Sequence, residues 1–417
     1  MRNVFNSLET PTEAAYAPLE DAPPVECKSL HIAESQAGDE RPHVLFIIDE
    51  LCEMGGAERI LLKMVRLLPP DRFRCSILTF RVNQNAPALK HVSCPLHVLP
   101  LKKTYDWNAL KVARQIRKLV HTEKVSIVHT FFETSDLWAG PIARLSGCPV
   151  LISSRRDLGI LRSGKHRIGY KLMGRFYDAV LAVSPQVRDF CIEHDGLNPG
   201  KVRTLFNGMD TGQVAQSSGR MEMRQEMGIA DDIPVITTVG NIRPVKGIDV
   251  LVRAAELVCR KYPKALFLVV GRKSEQEYCR ELENTISSLG LAGNFRFLGS
   301  REDVLALLRM SDVFCLPSRS EGFSNALIEA MASRVPCVVT DVGGNSEVVN
   351  HGETGFMVAS GDWQDMAARL IYLLDDPTLA TEMGLRGEEV VQSRFTTQAM
   401  IGELVQIYQE LLRQKRI

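Results

Sequence analysis

Twice along this chain, runs of strand length made almost wholly of apolar residues alternate with longer segments whose apolar positions recur every three or four residues. The first series is VLFIID (44–49), CSILTF (75–80), SIVHTF (126–131), PVLISS (149–154) and AVLAVS (179–184). The second is PVITTVG (234–240), ALFLVVG (265–271), NFRFLGS (294–300), VFCLPS (313–318) and PCVVTD (336–341). A strand that is apolar on both sides has no face to give to water, so its sheet must be covered by helices above and below, the condition of parallel sheets. The pattern therefore predicts an α/β chain of two successive doubly wound units, with ligands held outside the carboxyl ends of the strands and a cleft where the units face each other.

The 417 residues are enough for two such domains. Residues 1–41, rich in Pro, Ala, Glu and Ser, cannot bury enough apolar surface to offset the entropy of ordering and are expected to form a disordered tail. The first domain is expected over 42–212 and the second over 213–395. The amphipathic stretch 396–417 has no strand after it and is expected to pack back on the first domain.

Lys+Arg and Asp+Glu are equal at 50 each, which gives no support to nucleic-acid binding. The ten cysteines are scattered without metal-ligand spacing, so no metal site is expected, and several sit in apolar runs as free thiols of a reducing compartment would. With no signal segment and no apolar stretch of membrane-spanning length, the expectation is a cytoplasmic protein, with contact to the cytoplasmic face of a membrane left open. The basic stretch 155–175 is where that contact would fall; equally, Ile168, Leu172 and Phe176 at four-residue spacing read as a buried stripe of an ordinary solvated helix.

Three loops that follow strands of the second unit carry polar chemistry. In VGNIRPVKGID, Arg243 and Lys246 put two cations at the mouth of the sheet, suited to a pyrophosphate, with a solvated loop as the plain alternative. In VVGRKSE, Gly271 directly follows a strand and permits close approach of a ligand to backbone. In SEGFSNALIEAMA, Ser324 reads as an N-cap whose helix would turn free N–H groups toward an anion. Glu329, five residues in and so roughly 7–8 Å along the axis, lies at the reach of a ribose beside that anion, while Glu321 faces whatever lies beyond the phosphate. An exposed Glu329 and a capping Glu321 would be the plain alternative.

Glu321 and Glu329, separated by seven residues, resemble the signature of the retaining glycosyltransferases of family 4. The resemblance runs over about 43–395 through MGGAER (54–59), VHTFF (128–132), SRRDLG (154–159), AVSPQVRD (182–189), FNGMD (206–210), RPVKGID (243–249), FLGSREDV (297–304) and TDVGGNSEVV (340–349). It implies the GT-B fold, two Rossmann-like doubly wound domains facing a central cleft. It also implies transfer of a sugar, with retention and without metal or other cofactor, from a nucleotide-diphosphate donor to a glycan or lipid-linked acceptor hydroxyl in surface polysaccharide synthesis. By position it implies that Arg243 and Lys246 bind the pyrophosphate and Glu329 the ribose. Glu321, Gly322, Phe323 and Asn325 would take the donor sugar and its phosphate, Gly55 and Gly56 would let the first domain approach, and His129 would point at the sugar. A lone histidine after a strand is more often structural. The glycine of the first phosphate loop is followed by Asn241, where many members carry arginine. A nucleotide-sugar epimerase of the same fold, or a binding protein without catalysis, are the competing readings.

Overall fold

In a computed structural model, residues 39–52, 54–83, 87–159 and 164–417 are described, all within the unit Ser35–Ile417. The expected tail lies almost wholly outside these residues.

Two parallel sheets form. The first contains β1 (His43–Leu51), β2 (Arg74–Val82), β3 (Leu96–Val98), β4 (Val125–Phe131), β5 (Val150–Arg155), β6 (Ala179–Ala182) and β7 (Val202–Thr204), in the order β3-β2-β1-β4-β5-β6-β7. The second contains β8 (Val235–Val239), β9 (Leu266–Val270), β10 (Phe295–Gly299), β11 (Val313–Leu316), β12 (Cys337–Thr340) and β13 (Gly355–Val358), in the order β10-β9-β8-β11-β12-β13. In each sheet the order reverses between the first and fourth strands, so each has a switch-point crevice at its carboxyl edge, β1/β4 in one and β8/β11 in the other. Three strands that the apolar pattern does not announce, β3, β7 and β13, are three or four residues long, too short for periodicity to stand out.

Because successive strand residues point to opposite faces, the apolar runs divide between two cores. Leu45, Ile47 and Val128 face α2 (Trp107–Thr122), whereas Val44, Phe46, Ile127 and Phe131 face α1 (Gly56–Leu67) and the C-terminal helix Thr397–Gln414. That last helix buries Met400, Leu404, Tyr408 and Leu411 against the first sheet, each worth about 1.5–3 kcal/mol. Its entry is fixed by Met209 and Thr397, which exchange backbone bonds with Phe395 and each other at 2.8 and 2.9 Å. Gly208 is required here, since a Cβ would lie 2.5 Å from the Thr396 carbonyl oxygen. Arg203 adds a bidentate pair to Glu410 at 2.6 and 2.7 Å.

The two sheets share an apolar joint. Phe206 from the first lobe lies 5.6 Å from Phe323 and 5.3 Å from Phe395, and the last two lie 5.5 Å apart. Packing of this kind holds the two switch points on facing surfaces.

Candidate active site

The second switch point is built by two loops bolted together. After β8 the chain passes through a turn, Pro244–Lys246, and enters the helix Ile248–Lys261 at Gly247, whose φ is +64°. A Cβ at Gly247 would stand 2.0 Å from the Pro317 carbonyl oxygen of the loop after β11, so only glycine lets the loops meet this closely. Arg319 fastens them, donating to both carboxylate oxygens of Asp249 at 2.8 and 2.6 Å and to the Pro244 carbonyl at 2.7 Å. The result delivers the Lys246 ammonium to Glu321 at 2.6 Å, with the Ser318 hydroxyl donating to the same oxygen at 2.6 Å. Glu321 is buried and Lys246 half-buried, so the pair is partly shielded from water.

The helix Asn325–Ala332 begins beside this pair. Ser324 caps it, its hydroxyl accepting from the Leu327 amide at 3.3 Å, so the sequence reading of this helix start holds. Helix and loop are pressed against the first lobe: a Cβ on Gly322 would stand 2.1 Å from the Arg156 carbonyl oxygen, and one on Gly56 would stand 3.5 Å from the Asn325 amide nitrogen. The Asn325 oxygen accepts from Asn207 at 2.6 Å, and Asn207 in turn accepts from the Arg156 guanidinium. Burial lowers the Arg156 pKa to about 10, against the opposing pull of Glu58 and Asp157.

Glu329 is half-buried and looks across the cleft at α1. Burial raises its carboxyl above the ordinary range, while the positive charges of Arg59 and Lys63 pull it back. The Lys63 pKa is lowered by burial and supported by Glu329 and Asp210, and its ammonium donates to the Gly208 carbonyl at 2.6 Å.

Lys246 and Glu321 meet between the two loops, and Gly322, Asn325, Glu329 and Gly56 stand where the two lobes approach each other, with Gly55 next in the chain to Gly56. Arg243 is exposed on the same turn as Lys246, and its side chain has no partner among the described residues. Three assignments change. His129 is fully buried, one ring nitrogen bonded to the Tyr408 hydroxyl at 2.6 Å and the other to Ser154 at 2.8 Å, between Phe46 and Phe131. It lies on the strand face turned to the C-terminal helix, so it belongs to the core and not to the cleft. Phe323 turns its ring into the joint with Phe206 and Phe395, leaving only its backbone toward the loop. The close approach at Gly271 is made by protein: a Cβ would lie 2.0 Å from the Gly240 carbonyl oxygen.

Four residues that the sequence reading passed over join the site: Arg59, Lys63, Arg156 and Asn207. The first two sit four apart on one face of α1, a spacing visible in AERILLK. Arg156 follows Arg155, which alternation sends inward to Asp136 at 3.5 Å and Asp195 at 3.8 Å. Asp49, at the end of β1, accepts from the Thr134 and Ser135 amides at 2.9 and 2.7 Å and from the Ser135 hydroxyl at 2.6 Å. Burial still raises its pKa to about 6. Among the described residues no three His, Cys, Asp or Glu side chains gather as a metal site would require, and no helix is long and apolar enough to cross a membrane.

Residues 219–390 match the family described as glycosyl transferases group 1, and residues 54–213 match glycosyltransferase family 4. The chain is 33% identical over 238 residues to an N-acetyl-alpha-D-glucosaminyl L-malate synthase of Bacillus anthracis, spanning 57% of this chain and 60% of the length of that relative. It is 24% identical over 339 residues to the UDP-Gal:alpha-D-GlcNAc-diphosphoundecaprenol alpha-1,3-galactosyltransferase of Escherichia coli, covering 78% of this chain and 86% of that one. Among solved structures, Anabaena Alr3699/HepE in complex with UDP superposes with a TM-score of 0.76 at 21% identity, over 88% of this chain and all of that one, a likeness of fold.

Proposed function

The chain belongs to the glycosyltransferases of group 1 and family 4, and from that premise we propose that it moves a sugar from a nucleotide-diphosphate donor to a hydroxyl of a glycan or lipid-linked acceptor, with retention at the anomeric carbon. The observation that carries this reading is the Lys246–Glu321 contact at the β8/β11 switch point, beside the amino end of the Asn325–Ala332 helix. A cation, a helix start and two carboxylates within one interlobe space suit a diphosphate flanked by two sugars.

In this reading the donor phosphate takes the Lys246 ammonium, and Arg243 swings in from solvent as a second cation. Glu329 accepts the ribose hydroxyls. Glu321, still bonded to Ser318, is released from Lys246 to accept hydroxyls of the donor sugar. Developing charge on the leaving diphosphate is met by these two cations and the helix amides, without a metal or other cofactor. The leaving phosphate oxygen takes the proton of the incoming acceptor hydroxyl on the same face of the sugar, which preserves configuration. A uridine donor is favoured by the UDP in the Anabaena structure and the UDP-Gal in the name of the Escherichia coli relative. Those names, and that of a Staphylococcus aureus capsular polysaccharide biosynthesis glycosyltransferase 27% identical to this chain, support surface polysaccharide synthesis.

The test is calorimetry of the full chain with UDP and GDP, followed by incubation with the matching nucleotide sugar, with and without acceptors. Binding that weakens sharply in Lys246→Ala, and donor consumed only when acceptor is present, is the expected result. Unchanged affinity in that variant would remove the site, and conversion of the donor alone to an epimer would make the chain an epimerase.

A further inference from the structure

Between the C-terminal helix Thr397–Gln414 and the end of α1 runs a groove of about 650 Å³, within the usual size of a ligand site and sharing no residue with the candidate site between the lobes. Its floor is aliphatic: Ile401 and Val405 are buried, with Leu67 and Pro69 on the opposite wall. Its rim is amide. Gln398, Gln406 and Gln409 stand along about 16 Å of the helix, and none of the three is engaged by another described residue. The helix Gly164–Met173 differs: Ile168 and Leu172 lie 63% and 53% exposed, so the expected buried stripe is absent there, whereas Ile401 and Val405 are sunk beneath a polar rim.

Packing leaves two features of this groove unexplained. Gly402 lies inside an 18-residue helix, where glycine is a poor choice, yet a Cβ there would meet nothing within 4 Å. No neighbour requires it; its effect is to leave the rim open between Gln398 and Gln406, four residues to either side. The second feature is the Thr397 hydroxyl, buried without a hydrogen-bond partner among the described residues in a side chain that is 4% exposed and lines the upper end of the groove. Buried polar groups are nearly always paired. That end adjoins the crossover between the lobes, where the Thr397 amide donates to the Met209 carbonyl at 2.9 Å and Asp210 follows. One turn up α1 from Leu67, Lys63 holds the Gly208 carbonyl.

We infer that this groove is a second binding site, for a short uncharged oligosaccharide. Arg72 and Asp210 cancel in charge, and Asp210 already accepts from the Gly212 amide and the Gln213 side chain at 3.2 Å each, so the lining favours neither an anion nor a cation. A carboxamide both donates and accepts, as a sugar hydroxyl does, and the C–H faces of the rings lie on Ile401 and Val405. A hydroxyl at the upper end supplies the partner that Thr397 lacks. A neutral extended peptide would meet the same amides, but membership of a family that transfers sugars favours the saccharide. The inference requires no nucleotide and stands apart from the reading of the donor site.

The test is calorimetry of the full chain with maltotetraose, cellotetraose and N-acetylchitotetraose, each with and without excess UDP. The expected result is that at least one of the three binds, with the same affinity whether or not UDP is present. Gly402→Leu should lower that affinity at least about tenfold by filling the groove. Its thermal midpoint should hold or rise, since leucine favours the helix over glycine and meets open space. Gln398→Ala and Gln406→Ala should each cost about fivefold, and Thr397→Val a smaller loss. UDP affinity should be unchanged in each variant, so a failure here is distinct from a failure of the transferase site. No binding of any of the three at millimolar concentration, wild-type binding by Gly402→Leu, displacement of the saccharide by UDP, or binding of tetra-alanine in place of the saccharides would each overturn it.

Discussion

The two sheets share one strand order up to their sixth strand, so β4 and β11 hold equivalent places, yet the polar residues they carry are used in opposite ways. On β4, His129 sits inside the strand and is satisfied by Tyr408 and Ser154, and at the end of the neighbouring β1 Asp49 is satisfied by amides of its own lobe. Beyond β11, Glu321 lies five residues past the strand end and is met by Lys246 from another loop. The difference is where the polar group falls relative to the strand end. Inside the strand it is committed to packing; beyond it, its partner can be exchanged for a ligand.

That contrast can be broken most decisively at Lys246. Lys246→Ala should reduce transfer by about 10²–10³ with little change in thermal midpoint, because the side chain is half-buried on a loop; steady-state kinetics and a melting curve report both. Next in size is His129→Ala, which should cost about 3 kcal/mol of stability in denaturant titration, as it leaves the buried Tyr408 and Ser154 hydroxyls unpaired. Activity per folded molecule should persist. If transfer is abolished while stability holds, the contrast between the two strands fails.

A pH series sharpens the same point. Burial lowers the folded pKa of His129 to about 3 and of His43 to about 4, below the unfolded value near 6.5. As pH falls through 6.5 toward those values, protons are taken up by the unfolded chain first, so stability is lost on acidification. Between pH 7 and 5 each histidine should cost about 2 kcal/mol. Asp49, with its pKa raised to about 6, acts in the other direction and returns part of this. The thermal midpoint should therefore drop between pH 7 and 5, and less so in His43→Gln. The smallest effect is expected for Asn207→Ala, which removes the bridge from Arg156 to Asn325 and should weaken nucleotide binding by a factor of about 5, roughly 1 kcal/mol. A larger loss would mean that Asn207 touches the ligand itself.

By itself the sequence determined the two sheets and the loops that carry chemistry. Apolar runs flanked by helical periods admit few other arrangements, and the residues of SEGFSNALIEAMA and RPVKGID fall just after such runs, where a parallel sheet leaves its ends open. The place of His129 was misread as the end of a strand, although Thr130 and Phe131 continue the run beyond it. The tertiary structure alone decided which groups meet across the cleft: Arg59 and Lys63 with Glu329, Asn207 with Asn325, and Phe323 withdrawn into the joint with Phe206 and Phe395. These partners are far apart in the chain, and local periodicity encodes the face a side chain takes on its own element but not what a second lobe brings opposite it.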